Sequence, residues 1–176
     1  MTLELGIDVA SCGSLTCKRE DLQRGFEPDE CYYIENEALM RGRRDVDFMR
    51  DPPPDLIVDV DISRSSVVRH GIFAAFGVPE IWRFDGEKLL FLALRLLVEG
   101  VPVPPVGTLP AENLPSGADS GRPPAESDYV EVPASRSFPF LAPADLEPFL
   151  ARHGEESETS IVAAFRDRVR EVIAGR

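Results

Sequence analysis

Asp51 to Ser63 reads DPPPDLIVDVDIS, and the fold is decided by how this stretch is read. Three consecutive prolines, Pro52 to Pro54, fix an extended entry. From Asp55 to Ile62 charged and apolar residues alternate along most of the length, which is the period of a β-strand. Alternation puts Asp55, Ile57, Asp59 and Asp61 on one face and Leu56, Val58, Val60 and Ile62 on the other. Carboxylates crowded on one face repel one another unless water, a cation or protonation intervenes. Taken alone, this is the pattern of a solvated face on an amphipathic strand. A strand that leads directly into a packed helix is normally interior, however, with protein near both faces. Interior carboxylates need partners, and a divalent cation such as magnesium is a common one.

The helix that follows is marked by its own signals. Ser63, Ser65 and Ser66 offer N-cap hydroxyls, Val68, Ile72, Ala75 and Phe76 recur at helical spacing, and Gly77 and Pro79 stop the element. Arg69, Ile72, Phe73 and Phe76 share a stripe that must pack on the sheet. Arg69 is thereby expected to point toward the acidic strand. Two readings of it stay open: a structural ion pair with Asp59 or Asp61, or a functional cation.

Working outward, Ile81–Phe84 and Lys88–Leu97 form a hairpin turned by Asp85-Gly86. Upstream, Leu5–Ala10 and Leu15–Arg19 read as strands, and Glu30–Ile34 (ECYYI) as an aromatic, β-prone strand. Glu27 and Asp29, in the stretch GFEPDE before it, read as turn residues. Downstream, Asp128–Val132 is a late strand, and Ala144–Arg152 and Ser160–Ile173 are helices, the second with Ile161, Ala164, Phe165, Val169 and Ile173 on one stripe. The order is strands, helix, strands, then helices on a central sheet, an α/β (α+β) arrangement. Between the halves, Val101–Ser127 is rich in Pro, Gly, Ser and Ala without an apolar period and reads as a flexible insertion. The domain plan expected is therefore a core over 1–100, the insertion over 101–127, and 128–176 completing the same domain.

Composition sets bounds. The chain has 176 residues, enough for one domain with a real core, and its net charge of −12 argues against a dedicated nucleic-acid binder. Cys12, Cys17 and Cys31 are odd in number and lack the spacing of a zinc knuckle, so reduced, half-buried thiols are expected. No apolar run spans a bilayer, since Arg95 interrupts the longest. The N-terminus lacks a signal peptide's basic flank and apolar stretch, so a cytoplasmic protein is expected.

Several phrases together carry a resemblance: KREDLQRGFEPDECYYI (Lys18–Ile34), DPPPDLIVDVDIS (Asp51–Ser63), RHGIFAAFGVPEIWRFDG (Arg69–Gly86) and SRSFPFL (Ser135–Leu141). In this order and spacing the chain resembles the Uma family of putative restriction endonucleases, within the PD-(D/E)xK nuclease superfamily. The resemblance implies a restriction-endonuclease-like central mixed sheet flanked by helices, with Ser135–Leu141 as a late strand and turn, and a magnesium- or manganese-dependent DNA endonuclease. It implies that acids on two adjacent strands hold the metal while a nearby cation orients water and offsets charge on the phosphate. Carried onto this chain, the metal-holding acids are Asp29 and Asp59, and the catalytic set is Asp29, Asp59 and Arg69. Asp55, Asp61 and Glu27 are secondary candidates.

Three departures from the family pattern accompany it. Asp59 stands in place of a glutamate. Arg69 stands in place of a lysine that the family carries on the helix, while position 61, where the wider superfamily places lysine, is Asp61. The family's N-terminal segment, with a helix and an early glutamate, is expected to be missing, because Met1–Ala10 resembles a stretch inside the domain. The partners expected are DNA and no membrane, with a second copy of the chain as a candidate. A catalytically inactive interaction protein on the same fold and a truncated reading frame are the alternatives.

Overall fold

A computed structural model describes residues 2–13, 17–19, 24–26, 28–43, 46, 50–61, 67–95 and 129–175. The insertion expected over 101–127, the serines before the helix and Glu27 lie outside the described residues. The elements in chain order are α1 (Thr2–Leu5), β1 (Ala10–Ser11), β2 (Cys17–Arg19), β3 (Arg24–Phe26), β4 (Glu30–Tyr33), α2 (Glu37–Met40), β5 (Leu56–Val60) and α3 (Val67–Ala75). They continue with β6 (Glu80–Phe84), β7 (Leu89–Leu94), β8 (Tyr129–Glu131), α4 (Pro143–Leu150) and α5 (Glu158–Ala174). Six strands form one mixed sheet in the order β1-β4-β5-β6-β7-β8, and β2 and β3 form a separate hairpin.

The DPPPDLIVDVDIS stretch forms the centre of this sheet. β5 pairs antiparallel with β4 and parallel with β6, so it is interior on both edges. Its alternation divides two cores. Ile57 packs with Cys31, Phe73, Phe76, Val78, Ile81, Leu94 and Tyr129 beneath α3. On the other face Leu56 packs with Leu89, Phe91, Phe138 and Leu141, and Leu5, Ile7, Leu146 and Phe165 close over them. The acidic positions share the α3 face with Ile57, and all three are buried: Asp55, Asp59 and Asp61. The solvated-face alternative is thereby removed.

Local chemistry sets the ends of α3 and of the hairpin. Gly77 has φ 76°, its N–H donates to Ala74 O (2.9 Å), and Val78 N–H donates to Phe73 O (3.1 Å). These two bonds close a Schellman cap, sealed by the buried Val78 and Phe73 side chains. A Cβ at this φ is strained, so Gly77→Ala is expected to cost about 1 kcal/mol, read as a lower urea midpoint at unchanged slope. In the β6–β7 turn, Asp85 Oδ1 accepts from Glu87 N (3.0 Å) and Lys88 N (2.7 Å), and Gly86 takes φ 96°. Those backbone hydrogen bonds, Lys88's first, hold the Asp85 carboxyl below its ordinary range.

Two expectations are corrected. Leu5–Ala10 is not a strand; the chain begins with the helical turn α1, and β1 is confined to Ala10–Ser11, paired with Tyr33 and Tyr32. The cause is tertiary, because Glu4 is gripped by Arg166 and Arg170 of α5. Ser135–Leu141 contains no strand; β8 ends at Glu131, and the segment is a turn that buries Phe138 and Leu141. Of the cysteines expected to be half-buried, Cys12 is so and Cys31 is wholly buried instead, and neither is in a disulfide. No helix among the described residues is long and apolar enough to cross a membrane.

Candidate active site

The β5–α3–β6 unit brings the carboxyl ends of two parallel strands to the amino end of a helix. In open sheets this is the place where ligands collect. Asp59 lies there, with 0% of its surface exposed, and Asp61 follows at 2%. Asp29 arrives from the other side. The β4–β5 ladder pairs Glu30 with Val58, so one step further along the chain sets Asp29 beside Asp59. Its position is fixed by a hydrogen bond: Val60 N–H donates to Asp29 Oδ2 at 2.7 Å. One carboxylate is therefore enclosed under α3, and the other is exposed and fastened to the next peptide of the same strand.

The remaining sequence candidates divide. Asp55 stands at the opposite end of β5 and its carboxylate is engaged in shaping the turn before α2. Oδ2 accepts from Ile34 N (2.7 Å) and Asn36 N (3.2 Å), and Oδ1 accepts from Asn36 Nδ2 (2.9 Å). Those bonds assign it a structural task. Arg69 is the third residue of α3, and its side chain lies outside the described residues, as does Glu27. Asp61 accompanies Asp59 on the α3 face, and its N–H donates to Phe84 O at 2.9 Å, tying the strand exit to β6.

Three further residues shape this region, and the sequence reading singled out none of them. Arg83 on β6 is in register with Asp59, and its Nη2 stands 4.0 Å from Asp61 Oδ2. The Ile81/Arg83 alternation places it on the inner face, but only the β5–β6 register shows which acids it meets. His70 is buried on α3, its ring centroid 6.0 Å from that of Tyr129 and 6.3 Å from that of Phe73. Its spacing of three from Phe73 on the buried stripe was a usable signal. Glu80, wholly buried at the start of β6, accepts from Arg136 N (3.0 Å), Ser137 N (2.8 Å), Ser137 Oγ (2.7 Å) and Trp82 Nε1 (2.9 Å). It fastens the 135–141 turn to the sheet.

Among the described residues there is no group of three or more His, Cys, Asp or Glu side chains arranged around a metal position. What the strands bring together is a two-carboxylate set, Asp29 and Asp59. That set suits a hard cation that takes one or two carboxylates and completes its shell with water, as magnesium does.

A six-stranded mixed sheet with helices on both faces, and acids at the exit of its central parallel strand, defines a restriction-endonuclease-like α+β protein. A family model described as Uma2, putative restriction endonuclease, matches residues 2–119, more than half of the chain. The chain belongs to the Uma2 family. No curated protein and no solved structure matches it.

Proposed function

We propose that this protein is a DNA endonuclease that hydrolyses phosphodiester bonds with a divalent cation, magnesium or manganese, held by Asp29 and Asp59. One observation carries the reading. Asp59 is a wholly buried carboxylate at the carboxyl end of the central strand, and Asp29 is bonded to the peptide next to it. Carboxylates buried at such a place need hydrogen-bonding or cationic partners, and a divalent cation is one such partner. A bound cation would polarise the phosphate and lower the pKa of attacking water. The chain's own residues would divide the remaining work. The Val60 N–H holds Asp29 in place, the β5 backbone holds Asp59, and Arg69 on the first turn of α3 offsets charge on the phosphate. Membership of a family described as restriction endonucleases supports DNA as the substrate.

The net charge of −12 confines DNA binding to local clusters of Lys and Arg and makes it sensitive to salt. Calorimetric titration with manganese should show a binding isotherm for the natural chain and none for Asp59→Asn, with thermal stability of the variant measured alongside. Equal isotherms for the two proteins would remove the metal site. A second reading, an interaction protein that keeps the fold without cleaving DNA, is favoured by one specific observation: Asp61 occupies the strand position where the superfamily's lysine usually stands.

A further inference from the structure

Among the described residues, the acidic face has a neighbour whose hydrogen-bonding capacity is largely unused. Arg83 lies on β6 directly across from Asp59, and Nη2 meets Asp61 at 4.0 Å, beyond hydrogen-bond range. Arg83 Nε is buried and has no hydrogen-bond acceptor among the described residues. A guanidinium presents five donors in a rigid fork that matches two oxygens of one phosphate or carboxylate. Here a loose ion pair takes the place of such a fork. The side chain is 24% exposed while that of Asp61 is 0% exposed, so part of Arg83 reaches solvent where Asp61 does not. A group approaching the carboxyl ends of β5 and β6 would meet Arg83 before it met the buried acids.

We propose that Arg83 is a phosphate-binding residue of this site: its guanidinium takes a non-bridging oxygen pair of the DNA backbone at the carboxyl ends of β5 and β6, opposite Asp59. The inference rests on the nuclease reading and extends it to a residue on a third strand. The chemistry is consistent with the charge of the site. An acidic face that admits a polyanion needs a fixed cation at its mouth, because desolvated like charges otherwise repel. Arginine is suited to this place, since it stays protonated beside any carboxylate and is weakly hydrated. The 4.0 Å contact with Asp61 is not a bidentate pair, so among the described residues a phosphate need not displace a strong internal bond of Arg83.

The test is binding of a short DNA duplex to the full chain in calcium, which separates binding from cleavage, followed by fluorescence anisotropy over a salt series. Arg83→Gln should weaken binding about tenfold and reduce the slope of log affinity against log salt by about one. Arg83→Lys, which keeps the charge and loses the fork, should retain the slope and lose part of the affinity. Asp61→Asn should bind DNA at least as well as the natural chain. The double change Asp61→Asn with Arg83→Gln removes both members of the loose pair and should bind as weakly as Arg83→Gln alone, whatever either single change does to stability. If the natural chain binds the duplex and Arg83→Gln matches it in affinity and slope, Arg83 is a structural partner of Asp61 and the proposal is overturned while the nuclease reading stands. If the natural chain binds no duplex at any salt, the nuclease reading fails, and the phosphate role of Arg83 fails with it.

Discussion

The paired change Asp59→Glu and Arg69→Lys is expected to raise magnesium-dependent nicking of plasmid DNA by roughly a hundredfold over the natural chain, which should cut weakly. The magnitude follows from positioning. Glutamate reaches one methylene further than aspartate, and misplacing a reacting group by about an ångström costs on the order of a hundredfold in rate. Arginine keeps the charge of lysine but is planar and effectively never deprotonates, so it stabilises phosphate yet orients a water differently. The two changes act on one site, and their effects should not add. Asp59 is completely enclosed, so an extra methylene carries a packing cost of about 1–3 kcal/mol, and thermal unfolding of the variant has to accompany the assay. Asp29→Ala in the repaired protein should abolish the gain, because it removes the carboxylate bonded to Val60 N. Efficient cutting by the natural chain would overturn this account of positions 59 and 69. A repaired protein that folds, binds magnesium and leaves DNA intact would favour the interaction-protein reading.

The parts of this molecule that were legible in the sequence are those fixed by local chemistry. The prolines before β5, the alternation from Asp55 to Asp61, the Gly77 cap and the Asp85-Gly86 turn each state a backbone conformation within a few residues. Together they placed β5, α3, β6 and β7 correctly. The elements misread were decided at a distance. Leu5–Ala10 carries apolar residues at a spacing a strand would use, but Glu4 is bonded to arginines more than 160 residues away in sequence, and that contact selects a helical turn. Glu80 looks like the first polar residue of a strand, and its task is visible only when Arg136 and Ser137 arrive beside it. The candidate site was legible in the same uneven way. The resemblance pointed to Asp29 and Asp59 through their place in matched phrases, whereas Arg83, although inside the matched phrase Arg69–Gly86, received no role from it and enters only through the β5–β6 register. Asp55 shows the converse, since its position in the Pro-Asp pair suggested chemistry and its hydrogen bonds give it the turn at 34–36.

Glu80→Ala is expected to be the most destabilising single change in the sheet, at about 3–5 kcal/mol, because several donors lose their acceptor at once. The carboxylate is wholly buried and accepts from two backbone N–H groups, a serine hydroxyl and an indole N–H. Alanine leaves those four part-buried donors without their acceptor, and each donor that neither relaxes nor finds water costs about 1–3 kcal/mol. The donors do not act independently. Arg136 N and Ser137 N belong to the turn that seats Phe138 against Trp82, with ring centroids 6.0 Å apart, so loosening the turn also opens the core beneath α4 and α5. Glu80→Gln keeps one carbonyl oxygen and turns an amide N–H₂ toward donors, so it should cost less than alanine but clearly more than a surface change. Trp82 is the only tryptophan in the chain, and it stacks on Phe91 with centroids 4.6 Å apart. Its fluorescence therefore reports directly on this network during urea unfolding. Folded domains are stable by only about 5–15 kcal/mol, so the alanine variant should lose roughly a fifth or more of its resistance to urea, or fail to fold at 37 °C. A loss below about 1 kcal/mol would mean that the turn holds itself in place through the Ser135 N–H to Leu141 O bond at 2.8 Å and the Phe138 N–H to Ser135 Oγ bond at 2.9 Å. Glu80 would then be an occupant of the network rather than its anchor.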